Sequence, residues 1–168
     1  MIIFGIDPGV SGAICVLKKG QVVKLYEMPT MIDGKKNKKQ VNGAEVANIF
    51  KKELIDQNVE KESFEKIAKV VVEHVTAMPG QGVTSMFNFG QSFGLIKGVC
   101  AALKIPIYFV RPVKWKKHFD LIKTNKDASR TKVIQIFPHI APQIFRKKDS
   151  NKADSILIAK YFEDTQNI

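Results

Sequence analysis

Three acidic residues, Asp7, Glu73 and Asp154, stand where an acid is costly. Asp7 ends the apolar run of "MIIFGIDPGVSGA", Glu73 ends "IAKVVV", and Asp154 shares a helical face with Leu157, Ile158 and Tyr161. A carboxylate against buried surface is unfavourable unless something positive meets it. If the three converge, their repulsion requires raised pKa values or a bound divalent cation, and oxygen-only ligands suit magnesium or manganese. Two such ions, about 4 Å apart, activate water and stabilise the leaving oxygen of a phosphodiester. Two of the acids also have a plainer use: Asp7 before Pro8-Gly9 is a turn former, and Asp154 can pair with Lys152 or Lys160. Glu73 is hardest to explain away, because so apolar a strand has little reason to carry an acid. His74 points to the opposite pleat, and His118 and His139 lack metal-ligand spacing.

The elements that must position these acids alternate between strand and helix. Met1 to Ile6 reads as a buried strand, Ala13 to Leu17 as a second and Gln21 to Met28 as a third, an antiparallel meander. The basic stretch "TMIDGKKNKKQ" has no periodicity and reads as a loop. Asn42 with Glu45 resembles a capping box ahead of Val46, Ile49, Phe50 and Leu54 at helical spacing. After the Ile67 to Val72 strand, a long helix spans about Ser85 to Leu103. Its Gly90, Gly94 and Gly98 share one face, which predicts close backbone packing there. Phe89, Phe93 and Trp115 read as core. Ile107 to Val110 is a further strand, Pro112 begins a short helical turn, and helices follow over Ala128 to Phe137 and about Ser150 to Phe162. The pattern is α/β, in a single domain over residues 1–168.

Charge narrows the partners. With 27 Lys and Arg against 16 Asp and Glu, the net charge is +11, which favours an anionic partner and nucleic acid first. Basic clusters fall at Lys35, Lys36, Lys38 and Lys39, at Lys114, Lys116 and Lys117, and at Arg146, Lys147 and Lys148. No run is long enough to span a bilayer and no apolar patch accompanies the lysines, so no membrane role is expected. The opening residues lack a basic leader, and an intracellular, cytoplasmic setting is expected. Cys15 and Cys100 lie in apolar segments and read as core residues, not a disulfide or zinc framework.

Taken in order, "GIDPGVSGA", "VVVEHVTAMPGQGVTSMFNFGQSFG", "RPVKWKK", "KDASRTKVIQIFP" and "KKDSNKADSILIAKY" resemble the RuvC family of Holliday junction resolvases, within the ribonuclease H-like superfamily. The likeness covers nearly the whole chain and is nearest to phage-like and short bacterial members. It implies a ribonuclease H-like mixed sheet, three antiparallel N-terminal strands plus parallel ones, with helices on both faces. It also implies Asp7, Glu73 and Asp154 as metal ligands, Asp7 bridging two magnesium ions for which manganese can substitute. The family's remaining ligand, three residues before Asp154, is Asn151 here, with Asp149 as the alternative.

The same resemblance places Lys116 and Arg130 near the scissile phosphate. Lys114, Lys117, Lys147 and Lys148 are expected to contact DNA, and Met78 and Phe87 are candidates for wedging into the branch point, since the family's aromatic position is Thr76 here. The implied activity is paired symmetric nicking of four-way or branched DNA by a homodimer during recombination, repair or replication, leaving 5′-phosphate and 3′-hydroxyl ends, with no organic cofactor. Two rivals stay open: a non-catalytic branched-DNA-binding protein, and a nucleotide-binding kinase or ATPase fragment with Asp7 serving the nucleotide's magnesium.

Overall fold

A computed structural model describes residues 1–34, 38–55, 64–74, 76, 80–125 and 127–166. The first three strands form the expected meander: β1 (Ile2–Asp7), β2 (Ala13–Lys18) and β3 (Gln21–Glu27). The basic stretch after Pro29 is not a plain loop. It carries a hairpin of β4 (Thr30–Ile32) and β5 (Lys39–Val41), with Thr30 opposite Val41 and the buried Val41 anchoring it. Strands of three residues are too short to show alternation in the sequence. Lys35 and Lys36 lie outside the described residues.

Helix α1 (Gly43–Ile55) starts at Asn42, whose Oδ1 accepts from Glu45 N at 3.2 Å. The capping box is half formed, because the Glu45 carboxylate accepts from Asn48 instead and Asn42 N donates to Pro29 O. A short α2 (Phe64–Ile67) leads into β6 (Ala68–Glu73), and α3 (Val83–Ala102) into β7 (Ile107–Val110). There follow α4 (Pro112–His118), α5 (Ala128–Ile136), two 3₁₀ turns over Pro138–Gln143 and Lys147–Asp149, and α6 (Ser150–Thr165).

The main sheet runs β3-β2-β1-β6-β7, antiparallel through the meander and parallel from β1 to β6 to β7. Strand alternation sends Ile2, Phe4, Ile6, Val70 and Val72 to a core shared with α1 and α3. Ile3 and Val71 go to the opposite core, built on α4, α5 and α6. Helices therefore cover both faces, and Cys15 and Cys100 are buried free thiols, one in each core.

Two glycines make close approaches to backbone. A Cβ on Gly5 would lie 2.2 Å from the Ser155 carbonyl oxygen of α6, and one on Gly12 would lie 1.9 Å from the Asp7 carbonyl oxygen. The stripe of Gly90, Gly94 and Gly98 behaves otherwise: a Cβ at any of the three meets nothing within 4 Å. Close packing of this stripe within the chain is therefore not observed, since helical spacing puts the three on one face without saying what that face meets. Gly5→Ala is expected to destabilise the chain by about 2 kcal/mol or more, because the obstacle is backbone and cannot swing away. Urea unfolding checks this, and a variant as stable as wild type would contradict it.

Candidate active site

Strand register brings the first two acids together. Ile6 pairs with Val72 across the parallel strands β1 and β6, so Asp7 and Glu73 follow side by side at adjacent carboxyl ends, where ligands of α/β sheets gather. Both have the parity of Ile3 and Val71 and so face α6. The third acid comes from that helix. Ser155, seated over Gly5, follows Asp154 directly, so the contact that presses α6 onto β1 delivers Asp154 to the same end. The expected strand-end and helix-face placements are all observed.

The shared burial and charge of the three carboxyls shift their titration. The Asp7 carboxyl is held well above its ordinary range, first by burial and then by the charges of Glu73 and Asp154. Burial also raises Glu73, with Asp154 adding to it, and raises Asp154. Asp154 Oδ1 is buried with no hydrogen-bond partner. Lys116 of α4 is the cation whose charge opposes the rise at all three. It lines a cavity of about 280 Å³ together with Asp154, Asn151, Ser129, Thr124 and Asn125.

Two neighbours escaped the sequence reading. Trp115, fully buried as expected of core, also donates its indole N–H to Glu73 Oε1 at 2.9 Å. Ser129 hydrogen-bonds Asp154 and favours its ionised form. Both link residues far apart in the chain, and only the preference of a buried indole N–H for an acceptor hinted at the first.

Asp149 does not join the three. Arg146 donates to it from its backbone N, Nε and Nη2 at 3.1, 3.0 and 2.9 Å, and Lys152 Nζ lies 3.3 Å away. These cations hold the Asp149 carboxyl well below the usual range, and Glu27 extends the cluster, 3.1 Å from Lys152 Nζ. The reading of Asp149 as a ligand facing the site is therefore corrected: the 3₁₀ turn Lys147–Asp149 folds its carboxylate back onto Arg146. Asn151 is the residue at the cavity wall, its amide Nδ2 donating to Ser11 O.

Of the remaining basic candidates, Arg130 is half-buried and the lysines are exposed. Arg130 follows Ser129 on α5; its Nε and Nη1 are buried without a hydrogen-bond partner, and Nη1 lies 3.7 Å from Asp127 Oδ1. Lys114, Lys117, Lys147 and Lys148 are exposed, and so is Phe87, at 65%. Met78 lies outside the described residues. His74 stacks with Phe93 and Phe109, ring centroids 5.9 and 5.7 Å away, on the face opposite Glu73 as its parity requires.

Among the described residues no three Asp, Glu, His or Cys side chains already stand as a metal cage. The donor set nonetheless fits a hard cation: oxygen ligands only, mutually repelling, with one buried oxygen unpartnered. No helix among the described residues is long and apolar enough to cross a membrane.

No family model and no curated protein matches the sequence. Solved structures do. RuvC of Thermus thermophilus in complex with a Holliday junction substrate superposes with a TM-score of 0.59 at 14% identity, covering 99% of this chain and 97% of that one. A second structure of Thermus thermophilus RuvC gives 0.52 at 17% identity, with 98% and 96% coverage. The chain has a ribonuclease H-like α/β fold. Within that class its architecture is similar to that of RuvC, over nearly the whole of this chain.

An acid whose pKa is higher in the folded than in the unfolded chain binds its proton more tightly when folded. The stability it contributes therefore grows as pH falls from neutral through the folded pKa, and is complete below the unfolded one. Asp7, Glu73 and Asp154 act in this sense, whereas Asp149, Asp164 and Glu27, held low by cations, lose their contribution on further acidification. Metal-free Asp7→Asn is thus expected to melt about 3 °C above wild type near pH 7.5. The difference should shrink toward about pH 5. Scanning calorimetry at the two pH values checks it, and an equal or lower melting temperature near neutrality would contradict it.

Proposed function

We propose that this protein is a divalent-metal-dependent, structure-selective endonuclease that resolves Holliday junctions by paired nicks. The observation that carries the reading is the meeting of Asp7, Glu73 and Asp154 beside Lys116 at the carboxyl end of the parallel strands. The RuvC architecture and the net charge of +11 support it.

Asp7, Glu73 and Asp154 are the residues that would hold magnesium, or manganese in its place, with Asp7 flanked by the other two. When bound, a pair of such ions supplies an activated water and stabilises the leaving oxygen, giving 5′-phosphate and 3′-hydroxyl ends. Asn151 contributes an amide where a further carboxylate was expected, and Asp149 is assigned to the ion-pair cluster at the start of α6. Lys116 sets a fixed positive charge where the scissile phosphate gathers negative charge, and the guanidinium of Arg130, whose Nε and Nη1 make no hydrogen bond, suits a phosphate oxygen. Lys114, Lys117, Lys147 and Lys148 are exposed cations for the DNA backbone, a sequence-independent and salt-sensitive contact.

A four-way junction presents two symmetry-related strands, which a two-fold homodimer meets with two sites. Helix α3 suits that interface. Of its twenty residues only Ser92, Ile96 and Cys100 are fully buried, Lys97 is its one charge, and Val83 and Phe87 are largely exposed. Gly94→Leu has room within one chain, so a shift from dimer to monomer in analytical ultracentrifugation is expected and reads the interface directly. A variant that stays dimeric would move the interface elsewhere.

The deciding experiment is cleavage of a synthetic immobile four-way junction beside a linear duplex, with magnesium and then with EDTA. Wild type is expected to nick only the junction and only with metal. Asp7→Asn should bind the junction as wild type does and cleave about a hundredfold or more slowly. Comparable cleavage by Asp7→Asn would reject the ligand assignment. Tight binding without cutting in either magnesium or manganese would favour a non-catalytic junction binder, the reading that Asn151 supports.

A further inference from the structure

Helix α4 does three things within four residues. Trp115 donates to Glu73 Oε1, Lys116 lines the cavity with Asp154, and His118 Nε2 meets Asp164 Oδ2 at 3.0 Å. The helix starts directly after β7, whose Val110 is the strand partner of Glu73, with Pro112 at its first turn. It is thus tied to the strand that carries one acid and, through His118, to the helix that carries another. His118 also packs edge-on against Tyr161 of α6 at 5.3 Å.

Trp115 is fully buried in the core that α4 shares with α5 and α6. Its indole N–H, which a phenylalanine would lack along with part of the ring volume, is donated to Glu73 across 42 positions of sequence. A glutamate has three side-chain torsions, and a strand end alone leaves its carboxylate free to swing. Lys116 lies beside the same ring, Nζ 5.2 Å from the indole centroid, so indole, acid and lysine form one packed unit.

We propose that Trp115 is the positioning residue for Glu73, its buried indole N–H fixing Oε1 so that the carboxylate is held in place for the cation. This rests on the metal-dependent nuclease reading. Hydrogen bonds to a ligating carboxylate typically contribute 10- to 100-fold in metal affinity. Because Trp115 is the single tryptophan of the chain, its emission reports on the site without any label.

The experiment uses the full-length, metal-free protein, titrated with magnesium by calorimetry and by tryptophan emission, with Trp115→Phe in parallel by calorimetry. Wild-type emission is expected to change along the calorimetric binding curve, since charge is neutralised beside the indole. Trp115→Phe should bind magnesium about tenfold more weakly, and its junction cleavage should recover as magnesium is raised. A purely packing role predicts a lower metal-free melting temperature with unchanged magnesium affinity, and that result would overturn the proposal. Should Trp115→Phe fail to fold, the wild-type titration decides: emission that stays constant while magnesium binds overturns it. A wild type that neither binds magnesium nor cuts the junction instead rejects the nuclease reading itself, a separate signature.

Discussion

The contact between Gly5 and the backbone of α6 is the constraint on which the rest depends. Helix and sheet ordinarily stay apart by the thickness of their side chains. Here the missing Cβ of Gly5 lets the Ser155 carbonyl approach β1 closer than any other residue type permits. Asp154 precedes Ser155, and Asp7 lies two residues beyond Gly5 on the same pleat face, so one steric vacancy brings together two carboxylates 147 positions apart. The third is set by register alone, because β1 and β6 run parallel and end together. Gly12 closes the arrangement by letting the turn fold back against the Asp7 carbonyl.

That convergence leaves an electrostatic debt that the chain does not settle internally. Lys116 is one cation facing three acids, and all three carboxyls remain raised. A short distance along the chain, the opposite solution is on view: Asp149 is surrounded by Arg146 and Lys152 and held firmly ionised. The chain can therefore neutralise a buried acid when structure alone is at stake. Leaving Asp7, Glu73 and Asp154 with Lys116 as the cation that opposes their charge, and with an unpartnered oxygen on Asp154, is the arrangement that the proposed metal site would require.

Helix α3 carries a related message on the far side of the sheet. It is almost free of charge yet buries few of its residues, and its glycine face opens outward. Helical stability in a soluble chain comes mainly from packing an apolar face, so a long glycine-containing helix with so little cover is marginal by itself. Against a second copy, the same face would acquire the packing it lacks.

Much of this was legible from the residues. Acids that end apolar strands, alternation that assigns each to a face, and an acid on the apolar stripe of a helix are local patterns, set by backbone periodicity that any fold must respect. Those patterns carried the α/β class, the meander, the main helices and the placement of Asp7, Glu73 and Asp154. Other features were decided only in three dimensions, because they depend on which surfaces meet. Spacing put Gly90, Gly94 and Gly98 on one face but could not say that the face is open, while Gly5, isolated in a strand, made the close contact. Whether Asp149 or Asn151 turned toward the cavity depended on a 3₁₀ turn closed by Arg146. The bond from Trp115 to Glu73 joins two elements through space and leaves no periodic trace. Sequence by itself thus determined which residues are chemically out of place, since burial pattern and charge are written locally. Tertiary structure alone decided which of them share a site, since that follows from helix-to-sheet distance and strand register.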